Sequence, residues 1–315
     1  MKNLTILFLL FALLTACAPL GNLPTPQLEV EQSSVDGVSQ PLLTPVAQPN
    51  PYSVEALRAR SYGEGELSVE KMWESQADFT RYYITYPSDG LTIHGFINIP
   101  KGKGPFPVII ALHGYIPASE YQTRDYSTRY ADSIARKGYI VLHPNLRNFP
   151  PSDSVPRTRD YHSGYVADVL NLLQLVRKQA GQEGIFKNAE LQRLGIWGRS
   201  LGGGIALRVV SIVPEIKAAV LYGAVSQRYS NAAAGFAVFD LSASQAAFSL
   251  HHGEEDETIE PSWTATLNQQ LLDLGKEVEY FTYPGQPHTL LNLSQSDALF
   301  ISRNVDFFNL HLKEE

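Results

Sequence analysis

One serine of this chain lies in a setting suited to nucleophilic chemistry. Ser200 is the centre of a Gly-Arg-Ser-Leu-Gly sequence at residues 198–202, between an apolar run at 194–197 and a glycine-rich, helix-like stretch. The flanking glycines have no Cβ, so the chain can turn sharply and expose the hydroxyl at a strand-to-helix corner. The N–H groups at the start of the helix would favour a developing oxyanion. A tightly packed βα turn would show the same pattern, so residues elsewhere must decide between the two.

Two further residues could activate Ser200. A serine hydroxyl is a weak nucleophile at neutral pH, and it needs a general base and a group that orients the base. The predicted base is His288, in a Pro- and Gly-rich loop after the last predicted strand. The predicted acid is Asp256, which follows the strand that ends near residue 250. Both residues therefore lie at carboxyl ends of strands, where ligands of open α/β sheets bind.

The identity of the acid is the most open of these assignments. Other carboxylates could replace Asp256, namely Glu254, Glu255, Glu257 and, more remotely, Asp240. The same stretch offers ligands for a metal, because His251 and His252 lie beside these carboxylates. Alternate residues of a strand point to opposite faces, however, so this set is not expected to converge on one ion. No metal and no cofactor is predicted.

An oxyanion site requires a second loop beside the serine. The sequence Leu-His-Gly-Tyr at residues 112–115 ends the first predicted buried strand, which is the place for such a loop. The backbone N–H groups of Tyr115 and Leu201 are the predicted donors to the oxyanion. The Tyr115 side chain could offer its hydroxyl or form a wall of the cleft. His113 is interpreted as a partly buried structural histidine that shapes the loop, and it is not predicted to be catalytic.

The elements that must position these residues follow an α/β pattern. Residues 79–86 and 91–99 alternate in strand fashion around a turn-forming Pro-Ser-Asp-Gly, which predicts an antiparallel hairpin. Short apolar runs then alternate with helix-length segments, which predicts a parallel sheet covered by helices. The predicted later strands are residues 108–112, 139–142, 194–197, 218–222, 246–250 and 278–283, and the bounded helices are 165–177 and 297–312. Residues 57–73 form a lead-in segment to which no secondary structure is assigned.

The predicted fold class is therefore α/β, with a mostly parallel central sheet, an N-terminal antiparallel hairpin and helices on both faces. The 315 residues suffice for a globular catalytic domain. Their formal net charge is −7 and no long basic run is present, so a nucleic-acid partner is not predicted. The single cysteine, Cys17, excludes an internal disulfide and any site with several cysteine ligands. No oligomeric state is predicted.

The N-terminus has the pattern of an export signal. An apolar run at residues 4–14 follows the first lysine and is too short to span a bilayer. The sequence Leu-Thr-Ala-Cys at residues 14–17 resembles the lipobox of bacterial lipoproteins. That resemblance implies a signal peptide at residues 1–16, lipidation of Cys17 and an extracytoplasmic protein anchored to the cell membrane. An ordinary secretory peptide cleaved near the same point is the alternative.

The remainder of the chain divides by composition. Residues 17–53 are rich in Pro, Gln, Ser and Thr without helical or strand periodicity, which indicates a flexible tether. Residues 54–315 are predicted to be the catalytic domain. Within it, residues 225–243 lie between two core strands and are predicted to form a small lid over the acyl pocket.

Residues 106–315 resemble the α/β-hydrolase family, and more narrowly the catalytic domain of the prolyl oligopeptidase and dipeptidyl peptidase group. The likeness is carried by Leu-His-Gly at 112–114, Gly-Arg-Ser-Leu-Gly-Gly at 198–203, His-Gly-Glu-Glu-Asp at 252–256 and Pro-His at 287–288. The chain order of serine, acid and histidine is also that of α/β-hydrolases. The first and third motifs are shared with dienelactone-hydrolase-like and acyl-esterase relatives.

The resemblance departs from the peptidases in two respects. Those enzymes usually carry a large β-propeller, for which the residues before 106 are too few, and their Asp-x-Arg-Gly motif is Asn-Leu-Arg-Asn here, at 145–148. The resemblance implies a serine hydrolase that forms an acyl-enzyme with a small-molecule or short-peptide substrate and uses no cofactor. A serine-type peptidase is the first expectation and a carboxylesterase acting on small esters the second. A non-catalytic binding lipoprotein of the same fold is the third.

Overall fold

A computed structural model describes residues 53–156, 161–227, 239–291 and 294–313, except for the side chains of 161–163. The predicted signal peptide, Cys17 and nearly all of the predicted tether lie outside the described residues, as do residues 228–238 of the predicted lid. Those predictions therefore stay predictions. None of the described helices is long and apolar enough to cross a membrane.

Nine described strands form one sheet in the order β1-β2-β3-β5-β4-β6-β7-β8-β9. The strands are β1 (Ser68–Ser75), β2 (Phe79–Ser88), β3 (Leu91–Pro100), β4 (Phe106–Leu112), β5 (Ile140–Pro144), β6 (Ala189–Arg199), β7 (Ile216–Tyr222), β8 (Ala247–Gly253) and β9 (Val278–Tyr283). Pairing is antiparallel from β1 through β3 to β5, and parallel from β5 through β4 to β9. The predicted mostly parallel sheet with an antiparallel start is confirmed.

Helices cover both faces of this sheet. They are α1 (Val54–Ala59), α2 (Thr128–Ala135), α3 (Tyr161–Gln179), α4 (Leu201–Ile212), α5 (Pro261–Asp273) and α6 (Gln295–Leu312). Successive residues of β4 show how the pleat builds two cores, because Val108 and Ile110 join one apolar cluster while Ile109 and Ala111 join the other. Helices α1, α3, α4 and α5 contribute to the first cluster, and α2 and α6 to the second.

The predicted hairpin is confirmed as β2 and β3. Ser88 pairs with Leu91, so the turn consists of two residues, Asp89 and Gly90. Both have positive φ, 54° and 78°, which is the backbone of the turn that best matches the twist of antiparallel strands. Asp and Gly are residues that adopt this conformation readily, so the local sequence sets the register of the hairpin.

The predicted element bounds were wrong in specific places. The lead-in segment at residues 57–73, to which no secondary structure was assigned, overlaps α1 and β1. Strand β1 is an edge strand, largely exposed and interrupted by two register shifts, so it shows no apolar alternation. Strand β8 runs to Gly253 because His251 and His252, polar in sequence, are completely buried in the strand. Strand β6 begins at Ala189, since its first half is only partly buried and carries no apolar run.

Candidate active site

Ser200 lies at the corner between β6 and α4, as the sequence predicts. Its backbone has φ 53° and ψ −117°, a sparsely populated region for a residue with a Cβ. Hydrogen bonds on both sides hold this strained conformation: the Ser200 N–H donates to the carbonyl of Tyr222 at 2.9 Å, and the N–H of Gly204 donates to the Ser200 carbonyl at 3.1 Å. The corner presents the serine at the carboxyl edge of the sheet.

The glycines around Ser200 allow α4 to pack directly on the strands. A Cβ on Gly198 would lie 2.5 Å from the carbonyl oxygen of Gly202, so the corner could not close this tightly with any other residue. A Cβ on Gly202 would overlap the carbonyl oxygens of Leu112 and His113. The first turn of α4 therefore contacts the end of β4, where the predicted oxyanion loop begins.

His288 and Asp256 are hydrogen-bonded to each other at the same edge of the sheet. His288 Nδ1 lies 2.7 Å from Asp256 Oδ2, and both residues are almost fully buried. Gly223 lies beside this pair and directly follows Tyr222, whose carbonyl accepts the hydrogen bond from the Ser200 N–H. A Cβ on Gly223 would lie 3.3 Å from Asp256 Oδ2 and 3.4 Å from His288 Nδ1. The structure thus places the three sequence-predicted residues around the end of β7.

Asp256 accepts four hydrogen bonds, which hold it as a carboxylate. Its Oδ1 accepts from the backbone N–H groups of Thr258 and Ile259, at 2.9 and 2.8 Å. Its Oδ2 accepts from His288 and also lies 3.0 Å from His252 Nε2. Burial alone would raise the pKa of Asp256, but the hydrogen bonds from His252, His288 and the Ile259 N–H outweigh it and hold that pKa well below its usual range.

The alternative acids have other partners. Glu254 accepts a hydrogen bond from the Thr282 hydroxyl at 2.7 Å, and Asp240 from the N–H and hydroxyl of Ser242. Glu257 is exposed and accepts from the backbone N–H of His288, at 3.2 Å, not from its ring. Of the predicted candidates, Asp256 is the one bonded to the His288 ring.

The two adjacent histidines of β8 point away from each other. His251 bonds to Ser249 and Tyr283, at 2.7 and 2.9 Å, while His252 bonds to Thr264 at 2.6 Å and faces Asp256. Within the described part of the chain, no group of three or more His, Cys, Asp or Glu residues is arranged to hold a metal. The contact of His252 with the acid was missed from sequence, although its place four residues before Asp256 was a visible signal.

The predicted oxyanion loop lies against the serine. A Cβ on Gly114 would be 3.3 Å from Ser200 Cβ, so the backbone that follows β4 passes directly beside the candidate nucleophile. The other predicted donor, Leu201, is the first residue of α4, where a helix leaves its N–H groups without partners in the helix itself. The Tyr115 side chain is 53% exposed and contacts the edge of Phe149, with 6.1 Å between ring centroids. That position suits a wall of the cleft.

Arg199 ties the two loops of the site together, a role the sequence did not reveal. Its buried guanidinium donates to the His288 carbonyl at 2.7 Å and to the Thr289 hydroxyl. It also lies over the ring of Tyr126, 4.6 Å from the centroid, and the Tyr126 hydroxyl accepts the N–H of Gly114 at 2.8 Å. The residue before the serine thereby orients both the histidine loop and the oxyanion loop.

The loop that departs from the peptidase motif serves the fold. Arg147 forms a buried ion pair with Asp168, 2.7 Å between Nη2 and Oδ1, and its backbone N–H donates to the same carboxylate at 2.8 Å. Asn145 donates to the Thr123 hydroxyl at 2.8 Å. The Arg147 contacts hold the end of β5 to α3, and the Asn145 contact holds it to the segment before α2. The loop thus has a structural explanation that is independent of substrate.

A buried histidine near the site predicts an acid-sensitive fold. Burial lowers the pKa of His143 to about 4, with Asp125 opposing this effect and His113 and Arg81 adding to it. At this histidine the unfolded chain therefore binds a proton at a higher pH than the folded protein does. The free energy of unfolding falls as the pH drops from about 6.5 towards about 4, by at most about 1.4 kcal/mol per pH unit. In urea unfolding across this range, His143→Gln should flatten the dependence on pH. If the free energy of unfolding of this variant depends on pH as steeply as that of the wild type, the lowered pKa of His143 is not the cause of the acid sensitivity.

Known proteins were compared with the chain. The model of the dienelactone hydrolase family matches residues 93–306. A Synechocystis sp. protein that bears the name carboxymethylenebutenolidase is 23% identical over 227 residues, and the match covers 67% of this chain and 86% of that protein. An acetyl xylan esterase from Paenibacillus sp. R4 superposes with a TM-score of 0.63 at 18% identity, covering 82% of this chain and 92% of that one. An acylaminoacyl peptidase from Pyrococcus horikoshii superposes with a TM-score of 0.60 at 20% identity, and the match covers 76% of this chain but 43% of the peptidase.

Proposed function

The chain belongs to the dienelactone hydrolase family, a family of α/β-hydrolases, and on that premise we propose that it hydrolyses carboxylic esters through an acyl-enzyme on Ser200. The observation that carries the proposal is the 2.7 Å bond between His288 and Asp256 beside the strained corner that presents the serine. A tight turn with only a packing role has no need of an oriented imidazole, hydrogen-bonded to a buried carboxylate, at its edge.

The proposed reaction uses the described groups in turn. The bond to Asp256 keeps the proton of His288 on Nδ1, so Nε2 is free to take the proton of the Ser200 hydroxyl. The serine oxygen then attacks the ester carbonyl carbon, and the N–H groups of Tyr115 and Leu201 stabilise the oxyanion. His288 returns its proton to the departing alcohol. Water, activated by the same histidine, releases the carboxylic acid and restores the serine.

An ester substrate fits the comparisons better than a peptide. The family model matches residues 93–306, and the matches to the carboxymethylenebutenolidase and to the acetyl xylan esterase extend over most of both proteins compared. The chain spans less than half of the peptidase that it resembles. The expectation from sequence placed the peptidase first; we propose the ester first, on the support of the family match and of this coverage. A serine-type peptidase acting on short peptides is the second candidate, because its carbonyl chemistry would use the same groups.

A panel of paired substrates separates the two candidates. The purified full chain is offered short-chain nitrophenyl esters and aminoacyl nitroanilides, with Ser200→Ala as the background. We expect saturable turnover of the esters and amide cleavage no faster than that background, because an amine is a poorer leaving group. Saturable cleavage of an amide with a kcat/KM similar to that of the esters would favour the peptidase. Turnover of neither would favour a binding protein.

We propose in addition that the chain is exported and anchored through a lipid on Cys17, on the lipobox-like sequence alone. Several acyl chains on one cysteine would give stable attachment, since each buried methylene contributes about 0.8 kcal/mol. In cells that express the full chain, Cys17→Ser should move the protein from the membrane fraction to a soluble one. Equal partition of both forms would contradict the anchor.

A further inference from the structure

His252 lies fully buried near the end of β8, and both of its ring nitrogens have polar partners. Nε2 is 3.0 Å from Asp256 Oδ2 and 2.9 Å from the carbonyl oxygen of Ile259. Both oxygens can only accept, because Asp256 is held as a carboxylate, so Nε2 carries a proton that the two oxygens share. Nδ1 is 2.6 Å from the Thr264 hydroxyl oxygen. A neutral ring satisfies all three contacts, since its Nδ1 then accepts from that hydroxyl.

Thr264 is the residue that selects this tautomer. It lies near the start of α5 and is 2% exposed, so its hydroxyl depends on a partner within the protein. The hydrogen bond at one nitrogen of an imidazole decides which nitrogen carries the proton. Donation from Thr264 to Nδ1 therefore leaves the ring proton on Nε2, where it faces Asp256. Helix α5 and the proposed acid are thereby connected through one imidazole.

The bond from His252 completes the set of donors around the Asp256 carboxylate. Oδ1 accepts from two backbone N–H groups of the loop that follows. Oδ2 accepts from two imidazoles, that of His288 at 2.7 Å and that of His252 at 3.0 Å. A carboxylate offers about four acceptor positions, so the described donors occupy all of them. The carboxylate can then neither rotate nor tilt away from His288 without losing a hydrogen bond.

We propose that His252 and Thr264 are positioning residues of the reaction, which extend the chain of hydrogen bonds from the catalytic residues by two members behind the acid. Thr264 fixes the tautomer of His252, and His252 holds Asp256 Oδ2 at the His288 ring. Both positioning residues are buried, so they act through the acid and not on the substrate. The inference rests on the proposed acyl-enzyme, in which Asp256 orients the general base.

Substitution of His252 tests the link to the acid by kinetics on the full chain. His252→Leu removes the donor, and we expect kcat for a nitrophenyl ester to fall about 100-fold, the effect of a small misplacement of a catalytic group, with a far smaller change in KM. His252→Gln presents an amide N–H near the position of Nε2 and should recover a large part of that loss. His251→Leu is the matched control, because His251 is equally buried on the same strand but bonds to Ser249 and Tyr283; its kcat should stay near that of the wild type.

Substitution of Thr264 tests the link to α5 with almost no change in shape. Thr264→Val replaces the hydroxyl by a methyl group, and kcat should fall about 5-fold, the scale of one lost neutral hydrogen bond. Thr264→Ser keeps the hydroxyl and should keep the wild-type rate. Thr266→Val is the control on the same helix, since the exposed Thr266 hydroxyl donates to the carbonyl of Ser262 at 2.8 Å; this variant should also turn over the ester at the wild-type rate.

A double substitution shows whether His252 acts through Asp256. In the Asp256→Asn background, His252→Leu should lower kcat further by less than about 3-fold, because the link that it breaks is already lost. A further loss of about 100-fold would overturn the proposal, and so would equal losses of kcat in His252→Leu and His251→Leu. Should His252→Leu fail to fold in thermal unfolding, Thr264→Val decides, and wild-type turnover in that variant would overturn the proposal. Wild-type turnover in Asp256→Asn alone would refute the proposed function instead.

Discussion

Ser200→Ala is expected to lower kcat for ester hydrolysis by about 10⁶-fold, the scale of loss on removal of a serine nucleophile. The reason is that Ser200 supplies the hydroxyl at the corner between β6 and α4, where the oxyanion loop passes beside it and Arg199 holds the loop that carries His288. Turnover is measured on the purified full chain with a nitrophenyl ester. Thermal unfolding should show that the variant is folded, because alanine needs the same backbone as serine at this position.

A second serine provides the control for this experiment. Ser133 lies on α2, where its hydroxyl donates to the carbonyl of Tyr130 at 2.7 Å, away from the candidate site. Ser133→Ala should keep wild-type turnover. Retention of activity in Ser200→Ala, beyond what trace contamination by the wild type explains, would remove Ser200 as the nucleophile.

Asp256→Asn is expected to lower kcat by about 10⁴-fold. The asparagine amide would present a donor to His288 Nδ1, which then accepts, so the ring proton moves to Nε2 and the base is lost. The carboxylate that is replaced also receives the backbone N–H groups of Thr258 and Ile259, and so some loss of stability is expected as well. Activity is therefore compared at a temperature where unfolding curves show both proteins to be folded.

Neighbouring carboxylates test whether the correct acid has been assigned. Glu255→Gln and Glu257→Gln each remove one charge from the same loop without touching the bond between Asp256 and the His288 ring. Both variants should stay within a few-fold of wild-type kcat. A larger loss in either than in Asp256→Asn would show that the acid has been assigned wrongly.

The parts of the site that could be predicted are those encoded in short stretches of sequence. The corner at Ser200 needs glycines at fixed offsets, because a Cβ on Gly198 or Gly202 would meet backbone oxygens. Asp256 and His288 follow strands with recognisable apolar runs, and parallel strands bring their carboxyl ends to one edge. Local pattern and topology together were therefore sufficient to propose that the three converge.

The parts that could not be predicted depend on contacts between distant residues. Arg199 reaches the His288 loop 89 positions away, and nothing in the local sequence distinguishes it from a spacer between glycine and serine. The buried ring nitrogens of His113 lie against the carbonyls of Gly114 and Asn145, and carbonyls occur in every residue, so no sequence pattern marks these contacts. Strand β1 was missed for a related reason, since an exposed edge strand is held by backbone hydrogen bonds and needs no apolar alternation.

The most direct test of the central claim is to locate the covalent adduct that a fluorophosphonate probe forms with the full chain. Intact mass should show one phosphonyl group per protein, and peptide mapping should place it on Ser200. The probe mimics the tetrahedral intermediate, so its attachment requires both an activated serine and an oxyanion site. Absence of an adduct in the folded protein, or an adduct on a different residue, would contradict the proposed acyl-enzyme.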